Sequence, residues 1–125
     1  MFEALFAALE AESLARIGPM RPRFLVMPLR RADGAVEGGF WGVTGFRWLH
    51  IQMLLVPAAS RGRGLGAALV RNAEAEAAAR GCLGAHVDAF SFQATGFYEK
   101  LGYTCFGVLE DFPPGYSQHH YYRRF

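Results

Sequence analysis

The stretch that decides the fold runs Val56-Pro57-Ala58-Ala59-Ser60-Arg61-Gly62-Arg63-Gly64-Leu65-Gly66-Ala67-Ala68-Leu69. Its glycines fall in the turn between a strand-like apolar segment and a helical one. Such a turn leaves the N–H groups of the first helical turn unpaired, and the helix dipole adds about half a positive charge there. Arg61 and Arg63 add charge-assisted donors. The pattern indicates an anion-binding site, and the alternative is that the glycines merely pack a tight turn.

Two other phosphate-binding motifs compete for this turn. A Walker loop requires Gly-Lys-Ser/Thr at its end, and Gly66-Ala67-Ala68 lacks that chemistry. A dinucleotide-binding turn fits better, because Gly62, Gly64 and Gly66 lie between a strand and a helix, with Asp88 downstream. The first glycine is far from the strand end at Val56, however, and too little chain follows for a doubly wound parallel sheet. A nucleotide-dependent oxidoreductase or ligand domain stays open as an alternative.

Hydrophobic periodicity predicts the elements around the turn. The first sixteen or so residues predict an amphipathic helix, ended by Gly18 and Pro19. Three strands in a meander, a helix, a strand, a short helix and two strands follow. Their expected ranges are 24–29, 36–43, 48–56, 64–80, 85–89, 93–101, 103–109 and 117–124. This order predicts an α/β fold with a mixed, mostly antiparallel sheet, in which the third and fourth strands are parallel across a helical crossover.

Length and composition bound the class of protein. A chain of 125 residues allows one compact domain, 1–125, and the 52% apolar and 19% charged content excludes disorder and coiled coils. The net charge of +2 comes almost entirely from arginines, which argues against a polybasic nucleic-acid surface. Cys82 and Cys105 are expected to be reduced thiols. No membrane span or export signal is expected, so we predict a cytoplasmic protein without a membrane partner.

Two blocks of sequence resemble one known family. Arg61-x-x-Gly64-x-Gly66 after Val56 resembles the acyl-CoA pyrophosphate loop of the GNAT superfamily of N-acyltransferases. Downstream, Val87-Asp88-Ala89-Phe90-Ser91-Phe92-Gln93-Ala94 to Phe97-Tyr98-Glu99-Lys100-Leu101-Gly102-Tyr103 resembles the family's strand, loop and helix. Together the resemblance covers roughly residues 36 to 112.

The resemblance implies how acetyl-CoA binds. In this family the strand before the loop carries a bulge and splays from its parallel neighbour, and the acyl-CoA arm lies between them like an extra strand. The main chain of Leu54, Leu55 and Val56 would then face the pantetheine amides. Six consecutive residues would hold the pyrophosphate: Arg61, Gly62, Arg63, Gly64, Leu65 and Gly66. Gln93 matches a position where many relatives have a cofactor-contacting Asn.

The implied reaction is attack of a primary amine on the thioester in a ternary complex, with no metal and no covalent enzyme intermediate. Tyr98 aligns with the tyrosine that contacts the cofactor and hydrogen-bonds or protonates the leaving thiolate; the alternative is a core aromatic. The general base is not identified, and Gln52 cannot take a proton. The candidates are a water chain and the side chains of His50, Glu37, Asp88 and Glu110. His119 and His120 are expected on opposite faces of the last strand, without a role.

The amine site is the least specified part. Full-size relatives usually begin with a strand and two helices, so this domain is expected to be N-terminally shortened, with a pocket that is open or completed by a partner subunit. An exposed sheet edge and the aromatic segment 121–125 make a homodimer plausible. Four aromatic residues are either core or amine-site residues: Phe40, Trp41, Phe46 and Trp48. The substrate is a small-molecule or peptide amine, and a non-catalytic acyl-CoA-binding module remains an alternative.

Overall fold

The computed structural model describes residues 1–93 and 95–125. The helices are α1 (Phe2–Ile17), α2 (Leu65–Ala79) and α3 (Thr95–Lys100). The strands are β1 (Arg23–Arg30), β2 (Val36–Gly45), β3 (Trp48–Leu55), β4 (Gly84–Phe90), β5 (Thr104–Glu110) and β6 (Ser117–Arg124). The predicted order of elements is confirmed. The helix expected at 93–101 is described only from Thr95, and Ala94 lies outside the described residues.

The six strands form one sheet in the order β1-β2-β3-β4-β6-β5. Strands β3 and β4 are parallel, and α2 connects them, as the sequence predicts. The remaining neighbours in this sheet are antiparallel. This topology differs from the doubly wound parallel sheet that a dinucleotide-binding domain requires, so it removes the structural basis of that alternative.

The parallel pair separates partway along its length. The pairing of β3 with β4 runs from Trp48 opposite Gly84 to Ile51 opposite Val87 and ends there, although β3 continues to Leu55 and β4 to Phe90. We call this separation the fork. Gln52 forms a bulge at this point, because the residues on either side of it pair with consecutive residues of β2. A bulge bends its strand and increases the local twist, which turns β3 away from β4.

Helix α2 covers one face of the sheet. It buries Leu69, Val70, Ala73 and Ala77 against a core that contains Phe40, Leu49, Ile51, Ala85 and Val87. The helix ends as predicted, with an ion pair of 3.0 Å between Glu76 and Arg80 and with Gly81 at a φ of 88°. The core therefore fixes the start of α2 beside the fork.

The other face of the sheet has no comparable cover from residues 1–93 and 95–125, and we call it the open face. His50 and His86 stack there with ring centroids 4.5 Å apart, and Trp48 meets His86 edge-on at 6.4 Å. Phe24 and Trp41 are in contact at 5.2 Å on β1 and β2. The open face is thus lined by aromatic and imidazole rings.

Helix α1 forms where the sequence predicts it, but it buries no residue. Its apolar stripe, Phe2, Leu5, Phe6 and Leu9, is 54–73% exposed. Gly18, at a φ of 76°, and Pro19 lead the chain away from the helix before Met20 reaches the β2–β3 turn. The amphipathic pattern thus identified the helix, while its apolar face finds no partner among the described residues.

Candidate active site

The fork opens into two neighbouring cavities. The larger, of about 710 Å³, is lined by Leu54, Leu55, Val56, Ser60, Arg61, Gly62, Gly64, Leu65, Gly66, Ala67, Phe92, Gln93, Phe97, Lys100 and Leu101. The smaller, of about 350 Å³, is lined by Ile51, Gln52, Met53, Leu54, Leu55, Val87, Asp88, Ala89, Gln93, Phe97 and Tyr98. Leu54 and Leu55 line both, so the two cavities follow the same unpaired edge of β3. An extended ligand could run from one into the other.

The loop before α2 presents a row of free main-chain donors. Within residues 1–93 and 95–125, no hydrogen-bond acceptor faces the N–H groups from Gly62 to Ala67. Gly62 and Gly64 have φ values of 81° and 73°, and a Cβ at either would meet no protein atom within 4 Å. These two glycines serve the backbone conformation and leave the space outside open. That geometry suits an anion and disfavours the simple packing alternative.

The two loop arginines differ in position. Arg61 lines the larger cavity, and its Nε donates to the carbonyl oxygen of Val56 at 2.9 Å, which ties the loop to the end of β3. Arg63 is the one residue of the predicted six-residue set that does not line that cavity.

Six further residues line the larger cavity although the sequence did not predict them as site residues, and Ser60, Phe97 and Lys100 are three of them. Ser60 directly precedes Arg61, and the other two lie close to Tyr98 in the chain. This closeness to predicted site residues was the available signal.

Gln93 lines both cavities, but its side chain is already engaged. Its Oε1 accepts a hydrogen bond from the N–H of Phe90 at 2.8 Å, and its own N–H donates to the carbonyl oxygen of Phe90 at 2.8 Å. These contacts close the turn after β4. The amide NH₂ group of Gln93 remains for a ligand, as does the second lone pair of Oε1.

Tyr98 belongs to both the core and the smaller cavity. It is 7% exposed, and its ring packs edge-on against Phe97 at 5.0 Å and Tyr103 at 5.6 Å. Burial raises the pKa of Tyr98 to about 12, so the phenol is neutral at physiological pH. Tyr98 is therefore a hydrogen-bond donor at the fork.

The side chains expected as candidates for the general base differ in whether they reach the cavities. Asp88 lines the smaller cavity, whereas His50, Glu37 and Glu110 do not. The Oδ1 of Asp88 lies 2.5 Å from Nδ1 of His120. His119 and His120 lie on opposite faces of β6, as the strand alternation predicts, and His119 contacts Ser117 at 3.0 Å.

The four aromatic residues expected in the core or the amine site lie in three different places. Phe40 is buried in the core. Trp41 and Trp48 are half-buried on the open face, and Phe46 lies in the β2–β3 turn. Of these four, the two tryptophans therefore lie on the open face, and neither lines one of the two cavities.

The described part of the chain holds no group of three or more His, Cys, Asp or Glu side chains arranged to bind a metal ion. None of its described helices is both long and apolar enough to span a membrane.

A parallel pair that separates beside a helix start with free N–H groups defines a class of protein suited to a long, phosphate-bearing ligand. Comparisons identify the family. A model of the acetyltransferase (GNAT) family matches residues 7–103. The chain belongs to this family, so the resemblance stated from the sequence is confirmed, as are the expected fold class and acetyltransferase activity.

Individual relatives agree with this assignment. An acetyltransferase of Agrobacterium fabrum is 40% identical over 92% of this chain and 84% of its own length. The blasticidin-S acetyltransferase of Streptomyces morookaense is 42% identical over 69% of this chain and 64% of its own. A crystal structure of an acetyltransferase from Bacillus cereus superposes with a TM-score of 0.91 and 32% identity, covering 98% of this chain and 90% of that one.

The raised pKa of Tyr98 predicts a loss of stability at alkaline pH. An unfolded phenol ionises near pH ~10, whereas folded Tyr98 keeps its proton to about 12. Its contribution to stability is therefore complete below pH ~10 and is lost as the pH rises through this window. We expect the free energy of unfolding, measured by urea titration at each pH, to fall less steeply there for Tyr98→Phe than for the wild type. Equal slopes would contradict the assignment.

Proposed function

We propose that this protein transfers an acetyl group from acetyl-CoA to a primary amine by direct attack within a ternary complex. Acetyl-CoA is the co-substrate. The observation that carries the proposal is the fork, which joins the free amides before α2 to the neutral hydroxyl of Tyr98 through two adjoining cavities.

The larger cavity supports a binding mode for coenzyme A. Its pyrophosphate would accept hydrogen bonds from the free N–H groups between Gly62 and Gly66, with charge from Arg61 and Lys100. Arg63 would add its charge from outside the cavity. The pantetheine arm would follow the unpaired edge formed by Leu54, Leu55 and Val56, where its amides can replace the missing strand hydrogen bonds. The NH₂ group of Gln93 would contact the arm between the cavities.

The smaller cavity would hold the reacting thioester. As the amine attacks the carbonyl carbon, the C–S bond breaks and negative charge develops on sulfur. A phenol with a pKa of about 12 protonates a thiolate of pKa ~8.5 only at a cost of about 5 kcal/mol. Tyr98 therefore acts chiefly by donating a hydrogen bond that strengthens as the charge on sulfur grows.

Replacement of Tyr98 tests this role. We expect Tyr98→Phe to lower kcat about tenfold to a thousandfold and to leave the Kd for acetyl-CoA nearly unchanged, because the ring still packs in the core. Thiol release gives the rate, and calorimetry gives the affinity. Tyr116→Phe, in the exposed β5–β6 turn, is the matched control. An unchanged rate in Tyr98→Phe would remove its catalytic role.

Alanine substitutions at two glycines, one in the loop before α2 and one in a distant turn, test the proposed anion site. Gly64 and Gly115 both have positive φ values, 73° and 84°, and a Cβ added at either would have no protein atom within 4 Å. Alanine therefore imposes a similar strain of roughly 1 to 2 kcal/mol at both. We expect Gly64→Ala to weaken coenzyme A binding at least tenfold and Gly115→Ala to leave it intact, at comparable melting temperatures. Equal affinities would argue against the loop as the phosphate site.

The size and charge of the smaller cavity indicate the chemistry of the amine substrate. We infer a small-molecule amine, because the smaller cavity has a volume of about 350 Å³ and is bordered by Asp88, whose carboxylate attracts a cationic amine. The 42% identical relative named blasticidin-S acetyltransferase supports a small-molecule substrate. We place the reaction in the cytoplasm, where acetyl-CoA is available and the free thiols of Cys82 and Cys105 would stay reduced.

We further propose that a second copy of this chain covers α1. Four large apolar side chains that are each more than half exposed form a patch on the order of several hundred Å², near the upper range for a monomer. The same chain exposes Phe24 and Val26 on its open face. In a dimer with a twofold axis, the apolar stripe of α1 in each copy can therefore pack on the open face of the other copy.

Light scattering after size-exclusion chromatography tests the dimer. We expect Leu9→Glu, within the stripe, to shift the protein toward monomer, because it places a charge in the apolar contact. Ala11→Glu introduces the same charge on the opposite side of α1 and should leave the dimer intact. A wild-type monomer at high concentration would contradict the proposal.

A further inference from the structure

We propose that His120, oriented by Asp88, is the general base that accepts the proton of the amine substrate. This inference rests on the proposed acetyl transfer and adds the group that prepares the nucleophile. The base was unidentified from the sequence, and His120 was expected to have no role.

The first support is the position of Asp88 at the fork. Asp88 directly follows Val87, the last residue of β4 that pairs with β3. Its neighbours Val87 and Ala89 are buried on the core face, so the Asp88 side chain projects onto the open face, where it also borders the smaller cavity. Tyr98 reaches the same cavity from the core face. A thioester in the fork would thus have the leaving-group donor on one side and the carboxylate on the other.

The second support is the contact between Asp88 and His120. The two residues are directly opposite each other in the β4–β6 ladder, and Nδ1 of His120 lies 2.5 Å from Oδ1 of Asp88. An ionised carboxylate only accepts hydrogen bonds, so this contact puts the ring proton on Nδ1 and leaves Nε2 of the neutral imidazole as the proton acceptor.

The surroundings of His120 keep it available. Its ring lies beside Phe106 of β5 at 5.9 Å, and its side chain is 32% exposed. The titratable groups that face it are Asp88 and His86 on β4 and Tyr122 on β6. His86 stacks on His50 next to the paired part of the strands, where burial and then His50 lower its pKa, and His119 points to the core face. His120 itself lines neither cavity, but its carboxylate partner Asp88 borders the smaller one, so water beside Asp88 can connect His120 to the fork.

The proton balance of the step is complete. A lysine-like ammonium has a pKa of ~10.4, so making it neutral at pH 7 costs about 4 to 5 kcal/mol. The ammonium gives one proton to Nε2 of His120 through water beside Asp88, and the nitrogen lone pair that this frees forms the C–N bond as the carbonyl π bond opens. When the intermediate collapses, the C–S bond breaks and the second proton of the nitrogen reaches the sulfur through water beside Tyr98. His120 then returns its proton to solvent.

The test uses His120→Gln, Asp88→Asn and His119→Gln as a matched control on the same strand. We expect His120→Gln to lower kcat/KM about a hundredfold at neutral pH, with the Kd for acetyl-CoA and the melting temperature close to those of the wild type. Asp88→Asn should give a smaller loss, because Nε2 survives but loses its orientation. His120→Gln should lack the acidic limb of the wild-type pH–rate profile, whereas Asp88→Asn and His119→Gln should keep one.

A second measurement separates a base from a structural role. Hydroxylamine and other weakly basic amines are already neutral at pH 7 and need no base, so the deficit of His120→Gln should shrink toward unity with them. A deficit that is the same for weakly and strongly basic amines, or a wild-type rate in His120→Gln, would overturn the inference while acetyl transfer stands. A wild type that releases thiol with no amine would overturn the proposed function as well.

Discussion

The separation of β3 from β4 is the constraint on which the site depends. A strand edge that loses its neighbour leaves main-chain groups without hydrogen-bond partners, and such groups need water or a ligand. Here the separation begins just after Ile51 and Val87, where the bulge at Gln52 turns β3 away. Close approach of β2 supports the bend, since a Cβ at Gly38 would overlap the carbonyl oxygen of Leu55. The unpaired edge is thus built into the sheet.

The fork and the anion site are held together by one packed helix. The core residues of α2 press against β3 and β4 on the side where the strands are still paired. This fixes the helix start, with its free N–H groups, next to the end of β3, and the bond from Arg61 to the carbonyl oxygen of Val56 ties the loop to the strand. Burial of one apolar stripe therefore positions the two adjoining cavities, which we propose hold the pyrophosphate and the thioester.

The two faces of the sheet supply different chemistry to the same gap. On the core face, burial keeps Tyr98 neutral, so its hydroxyl can donate a hydrogen bond. On the open face, Asp88 and His120 contact each other and remain partly exposed, which suits the proposed base. The leaving sulfur must gain a hydrogen bond or a proton, and the attacking amine must lose a proton. The groups proposed for these two tasks lie on opposite faces of the sheet.

The sequence by itself determined the order of the elements and the glycine turn before α2, and its family resemblance pointed to Tyr98, which lies at the fork. These follow from local signals: periodicity within one segment, glycines at 62 and 64 in a turn, and a motif read along one short helix. Only the tertiary structure decided that the pairing of β3 with β4 ends after Ile51, that Asp88 meets His120, and that α1 keeps its apolar stripe exposed. Each of these depends on the register or packing of segments far apart in the chain, which a pattern within one segment does not encode.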